Sequence, residues 1–161
     1  MRVLGIDPGI ARVGWAIVEE KKGKITALDF NCFETKAKEE TADRLEKIHL
    51  EIKRLIKKYS PEEVAIEELF FNTNAKTAFV VGQARGVIFL ACAQEKLKSY
   101  CYTPLQVKIA VSGYGRAEKR QVGQMVKTIL SLKEIPKPDD VTDALAVAIT
   151  HAFSRKTAQN R

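Results

Sequence analysis

No apolar run in this chain approaches the ~18 residues needed to cross a bilayer. Met1-Arg2-Val3-Leu4 leads into a charged strand rather than a signal peptide, so a cytoplasmic protein with no membrane association is expected. Cysteine is scarce: Cys32, Cys92 and Cys101 are an odd number without metal-ligand spacing. All three stand in apolar surroundings and read as reduced core residues. Histidine is scarcer still. His49 lies at the edge of a helical apolar stripe and reads as a half-buried structural residue, and His151 stands too far along its helix from the nearest acids to share a metal with them. Trp15 and the tyrosines read as packing residues. Repeats, low-complexity tracts and interdomain linkers are also missing, so 161 residues read as one domain, 1–155, with a short basic tail, 156–161. A domain of that length buries roughly 70% of its unfolded surface.

What the chain does have is positive charge and a few well-placed acids. It carries 27 Lys and Arg against 20 Asp and Glu, a net charge of +7. From Pro104 to Arg161 there are ten basic and five acidic residues, so +5 falls in that segment and +2 in residues 1–103. Three of the five acids are Asp139, Asp140 and Asp143. A basic face around an acidic centre suits a polyanion whose phosphates are gripped while one is hydrolysed.

Periodicity predicts strands over Arg2–Asp7, Arg12–Glu20 and Lys24–Glu34, the last two joined by a Lys21-Lys22-Gly23 turn. Thr41–Tyr59 is an amphipathic helix with Leu45, Ile48, Ile52, Leu55 and Ile56 on one stripe, stopped by Ser60-Pro61. A strand over Glu63–Phe70, a helix over Ala75–Lys96, a short strand over Tyr100–Thr103 and a short helix from Pro104 to Val111 follow. Ser112-Gly113-Tyr114-Gly115 is a loop, and Ala117–Leu130 and Asp139–Ser154 are the last helices. This order implies an α/β fold, a mixed sheet with helices on both faces.

Asp7 and Glu67 each end an apolar run, where a carboxylate is costly to desolvate unless a cation neutralises it. A helical crossover from the hairpin to Glu63 makes the two acid-bearing strands parallel neighbours, with both acids at carboxyl ends where sites form. Alternation places Gly5 on the face of Asp7 and Ala65 on the face of Glu67, leaving room for a helix to approach. The last helix offers Ala144, Ala148 and Ala152 for that contact and so carries Asp140 and Asp143 over the strand ends. Glu68 shares its face with Val64 and Ile66 and reads as core packing, and Asp139, after Pro138, reads as the helix N-cap. Mg²⁺ takes one or two carboxylates and fills its shell with water and phosphate oxygens, which is what four such acids in a basic chain offer.

Gly5-Ile6-Asp7-Pro8-Gly9, Ala65-Ile66-Glu67, Gly82-Gln83-Ala84-Arg85-Gly86, Ala117-Glu118-Lys119 and the stretch from Asp140 to His151 together resemble the RuvC family of bacterial Holliday-junction resolvases. The resemblance runs from Met1 to about Phe153 with the motifs in order. It implies a ribonuclease H-like mixed five-stranded sheet flanked by helices, a homodimer, and hydrolysis of DNA phosphodiesters with two Mg²⁺ per active site, Mn²⁺ substituting. Products with 5′-phosphate and 3′-hydroxyl ends, four-way junction DNA as substrate and a branch-migration complex of RuvA and RuvB type as partner come with it. Asp7, Glu67, Asp140 and Asp143 match the acidic tetrad, with Asp140 standing where some members carry His. Lys108 and Lys119 match positions close to the scissile phosphate, and Phe70 matches a residue that stacks on an unpaired base.

Arg116 and Arg120 join those lysines as expected DNA contacts, whereas Phe71, Lys76 and Arg85 are left open between DNA, a dimer seam and the core. Two-fold cutting of a junction asks for a two-fold dimer. Its expected seam is the helix from Ala75, with Phe79, Val80, Val87, Ile88 and Leu90 on it and Gly82 and Gly86 permitting close approach. Three rivals are weaker: another ribonuclease H-like nuclease with a different DNA or RNA–DNA substrate, an actin-like nucleotide-binding domain, for which the chain supplies only one lobe, and a non-catalytic DNA-binding module, which leaves the acids unexplained.

Overall fold

The structure, a computed structural model, describes residues 1–68 and 75–159, with side chains from 1–68 and 78–155. Its five strands are β1 (Arg2–Asp7), β2 (Arg12–Lys21), β3 (Lys24–Glu34), β4 (Glu63–Glu67) and β5 (Lys98–Tyr102). Its helices are α1 (Thr41–Tyr59), α2 (Ala75–Gln94), α3 (Pro104–Ser112), α4 (Lys119–Ile129) and α5 (Asp139–Gln159). The strands form one sheet in the order β3-β2-β1-β4-β5. β1, β2 and β3 pair antiparallel, and β4 pairs parallel with both β1 and β5. This is the ribonuclease H-like arrangement expected above.

Period-2 alternation divides the core into two layers. Leu4, Ile6, Trp15, Ile17, Val64 and Ile66 face α1 and α2, meeting Ile48, Ile52, Leu55 and Ile56 of α1 and Ala84, Ile88, Ala91 and Cys92 of α2. Each such fully buried aliphatic side chain contributes about 1.5–3 kcal/mol. Val3, Ala16, Val18 and Ala65 face the other way, onto α5, which is flanked by α3 and α4. α5 is buried on most of its circumference, from Val141 to Ala152, and its backbone comes directly onto β1 and β2 at Gly5 and Gly14. A Cβ at Gly5 would overlap the Ala144 carbonyl oxygen, and one at Gly14 would overlap that of Asp140.

Several boundaries differ from the periodicity. β4 stops at Glu67 because its β5 partner stops at Tyr102, and Thr103 turns away to cap α3, its hydroxyl accepting from Gln106 N (3.2 Å). α2 ends at Gln94, with Lys96 in the left-handed region (φ 58°) although no glycine marks the stop. α4 starts at Lys119, where Glu118 N donates to the Gln121 side chain (2.7 Å). α5 continues to Gln159, past residue 155, since nothing in that stretch breaks a helix. The cysteines are not uniformly core residues: Cys92 is buried, Cys32 half-buried, and Cys101, on the edge strand β5, is exposed. Tyr114 is likewise exposed rather than packed.

Candidate active site

β1 and β4 run parallel and in register, so Asp7 and Glu67 reach the same end of the sheet. α5 crosses that end with its first turns, and because it rests on Gly5 and Gly14 its acids come down to the strand level. Carboxylate oxygens of Asp7, Glu67 and Asp143 lie within 4.8 Å of one another. Asp140, one turn earlier, stands outside this group on the side of β2, its Oδ2 3.9 Å from the Arg12 guanidinium. Arg12 in turn pairs with Glu34 (3.0 Å). Asp139 falls within the first turn of α5 rather than standing only as a cap, and its carboxylate faces Lys119 Nζ at 3.5 Å. Glu68 N donates to the Tyr102 carbonyl (2.8 Å), which closes β4 immediately after Glu67.

Three half-buried acids this close cannot all be ionised unaided. Burial, then the charges of Glu67, Asp143 and Asp140, push the Asp7 carboxyl up to about 9. Glu67 is pushed up to about 7 by burial and Asp143, although its hydrogen bond with Asp7 and the charge of Lys119 hold it down in part. Burial also raises Asp143, against the hydrogen bond and charge of Lys119, whose Nζ lies 2.9 Å from Asp143 Oδ2. Burial alone would lower Lys119, but its bonds and charge interactions with Asp143 and Asp139 outweigh that and raise it. Oxygen donors held this close, with carboxyls that favour protons over bare ionisation, fit a hard divalent cation. Cys32 sits near enough to feel Asp140, but burial and that charge push its thiol up to about 11, which keeps it unreactive.

A cleft of about 220 Å³ opens beside the acids, lined by Glu67, Pro104, Val107, Lys108, Lys119, Val122 and Asp143. Lys108, from α3, and Lys119, from α4, thus both line it. Arg116 and Arg120 are exposed near the start of α4, outside that lining. Arg85 donates to Cys101 Sγ (3.2 Å) and its guanidinium lies over the Phe89 ring (5.3 Å), away from the acids. Phe70, Phe71 and the Lys76 side chain lie outside the described residues. His49 is half-buried and bonds Gln94 (2.9 Å), and His151 is fully buried well away from the acids. Sequence reasoning missed Arg12 and Gly14. Gly14 had a visible signal, a glycine inside a strand directly opposite Asp7, whereas Arg12 had none beyond its charge.

Residues 3–151 match the family profile of Crossover junction endodeoxyribonuclease RuvC. The RuvC of Halothermothrix orenii is 56% identical over 154 residues, covering 96% of this chain and 93% of that protein. The RuvC of Clostridioides difficile is 56% identical over 156 residues, covering 97% and 92%. Among solved structures, Thermus thermophilus RuvC in complex with a Holliday junction substrate superposes with a TM-score of 0.94 at 39% identity, covering 98% of this chain and 96% of that one. The sheet order, the acids at its end and this likeness along nearly the whole length agree, and the chain belongs to the RuvC family of crossover junction endodeoxyribonucleases.

Proposed function

We propose that this protein is a structure-selective DNA endonuclease that resolves four-way junctions by paired, symmetrical incisions in recombination and repair. The observation that carries the reading is the convergence of Asp7, Glu67 and Asp143 beside Lys119, next to a cleft that Lys108 and Lys119 help to line. Asp7, Glu67, Asp140 and Asp143 would hold two Mg²⁺, with Asp7 central because it adjoins both Glu67 and Asp143 and feels Asp140. Bound there, two such ions supply an activated water on one side of the phosphorus and charge stabilisation for the leaving 3′-oxygen on the other. The products then carry 5′-phosphate and 3′-hydroxyl ends.

The protein's own residues position the strand. Lys119, anchored between Asp143 and Asp139, holds a cation at the edge of the acids where a phosphate oxygen would enter. Lys108, which lines the same cleft, grips the DNA backbone there. Arg116 and Arg120 extend the positive surface outward, and Phe70 stacks on a base opened at the branch point.

The working unit is a homodimer joined through α2. That helix buries Ala84, Ile88, Ala91 and Cys92 in its own protomer, so Ile88 is not free for a seam. Its other face leaves Phe79 and Leu90 exposed with open space over Gly82 and Gly86. Positions 79, 82, 86 and 90 follow helical spacing, which makes one apolar stripe that a second copy can pack against. A branch-migration complex of RuvA and RuvB type is the expected partner, and the cytoplasm the expected site of action.

Incubation with a synthetic four-way junction, a linear duplex and an RNA–DNA hybrid, each with and without Mg²⁺, tests the reading. Paired nicks in the junction alone, only with the metal, are expected. Preferential cutting of the hybrid would make the protein a ribonuclease H-like nuclease of another kind, and binding without cutting would make it a DNA-binding module.

A further inference from the structure

The face of the sheet that carries the acids also holds a buried polar chain with no part in the chemistry above. His151, fully buried on α5, bonds through Nε2 to Glu63 Oε2 (2.7 Å) and through Nδ1 to the Tyr102 hydroxyl (2.8 Å). Glu63 opens β4 and its other oxygen accepts from the Tyr100 hydroxyl (3.1 Å) and from Arg155 of α5 (2.9 Å). Because a carboxylate only accepts, His151 carries its proton on Nε2 and Nδ1 accepts from Tyr102. Burial, which outweighs the charge of Glu63, lowers the His151 pKa and favours that neutral ring.

Tyr102 is the informative member. Its carbonyl accepts the Glu68 N–H and its backbone pairs with Glu67, so it fixes the strand end that presents Glu67. Its hydroxyl meanwhile holds α5, the helix that presents Asp140 and Asp143. One residue therefore touches both elements that must meet. Most of the remaining α5 contact with the sheet is apolar, with Ala144 and Ala148 on Gly5, and apolar contact has no direction; the other polar tie to a strand, Asp140 to Arg12, is long (3.9 Å) and open to water. A buried hydrogen bond from a neutral ring adds only modest net stability, because both partners give up water to form it. What it does add is direction, which stops α5 from sliding or turning.

We propose that Tyr102 and His151 are positioning residues of the metal site, pinning α5 to β4 and β5 so that Glu67 and Asp143 stand at ligating separation. The inference rests on the reading of Asp7, Glu67, Asp140 and Asp143 as metal ligands. Mg²⁺ demands near-ideal octahedral geometry at about 2.1 Å, so a small drift of α5 reaches metal affinity before it reaches folding.

Tyr102→Phe removes only the hydroxyl. The test is calorimetric titration of Mn²⁺ into the free protein, together with the Mg²⁺ dependence of junction cleavage. Mn²⁺ affinity should fall about tenfold, the lower end of the loss when an outer partner is removed. The half-saturating Mg²⁺ should rise by the same factor, while the rate at saturating Mg²⁺ and junction affinity in EDTA stay within about twofold of wild type. His151→Leu, which removes the acceptor for Tyr102 together with the donor for Glu63, should lower Mn²⁺ affinity at least as much. Ile52→Val, a core change in the opposite layer, should lower thermal stability and leave Mn²⁺ affinity unchanged. Unchanged Mn²⁺ affinity in Tyr102→Phe, or an equal loss in Ile52→Val, overturns the proposal. A wild-type protein that binds no Mn²⁺, or binding that survives Asp7→Asn, instead overturns the metal-site reading beneath it.

Discussion

Asp7→Asn should abolish cleavage and, in metal-free buffer, stabilise the protein. In the unfolded chain Asp7 ionises near 3.8, whereas in the folded chain it keeps its proton up to about 9. Between those values the folded state binds the additional proton, so the contribution of Asp7 to stability is full below about 3.8 and is lost as pH rises through the window. At pH 7 the window has been open for about three pH units, each about 1.4 kcal/mol, which sets a ceiling of about 4 kcal/mol. Protein relaxation and the sharing of a proton with Glu67 bring the expected gain nearer to about 2 kcal/mol. In a chain of this length that is about 4–8 °C in Tm. Asparagine keeps the shape and a hydrogen bond to Glu67 but has nothing to ionise.

Urea denaturation at several pH values in EDTA gives the measurement. The advantage of Asp7→Asn should be near zero at pH 4 and widen steadily toward pH 8. With Mg²⁺ added it should shrink or reverse, because only the wild type gains stability by binding the ion. An asparagine variant less stable than wild type in EDTA at pH 8, or a difference independent of pH, would refute the electrostatic reasoning. Cleavage retained at a tenth or more of the wild-type rate would remove Asp7 from the site.

Three further outcomes follow from the same geometry. Lys119→Ala should lower the single-turnover rate at saturating protein more than it lowers junction affinity; an unchanged saturated rate, with a salt slope reduced by about one, would make it a plain phosphate contact. Gly5→Ala should cost about 3 kcal/mol in chemical denaturation and most of the activity, because the added methyl displaces α5 at Ala144 and Ala148. Gly82→Leu or Gly86→Leu should give a folded monomer by light scattering that leaves mostly singly nicked junctions. A wild-type monomer at micromolar concentration, free and junction-bound, would dismiss the α2 seam.

The parts of this site that were legible in the sequence are those set by local pattern. Asp7 and Glu67 stood out because each ends a run that otherwise contains only residues fit for burial. The same alternation put Gly5 and Ala65 under the acids, and small residues at helical spacing in α5 matched them, which is enough to dock one element on another. Arg12, Glu63 and His151 were not legible because their roles depend on partners far away in sequence. Glu63 looks like the solvated start of a strand until a histidine 88 residues later is seen to bond it. The ends of β4 and α2 were missed for a related reason: the first is set by where β5 stops pairing, the second by a left-handed Lys96 that no residue type announces.

Asp140 and Asp143 show why the close approach of α5 matters. Three residues along a helix turn the side-chain direction by about 60°, so the two acids cannot both point at Asp7 from one spot. Asp143 points inward to Asp7, Glu67 and Lys119, and Asp140 turns toward β2 and Arg12. A site for two cations needs ligands on both sides of a shared carboxylate, and one helix meets that need only if its backbone sits directly over the shared strand end. Gly5 and Gly14 make this possible, since each admits an α5 carbonyl where any Cβ would keep the helix off the sheet. With the helix lifted, Asp143 would lose Asp7 and Glu67 together. The two glycines, which carry no chemistry of their own, are therefore as necessary to the site as the acids they bring together.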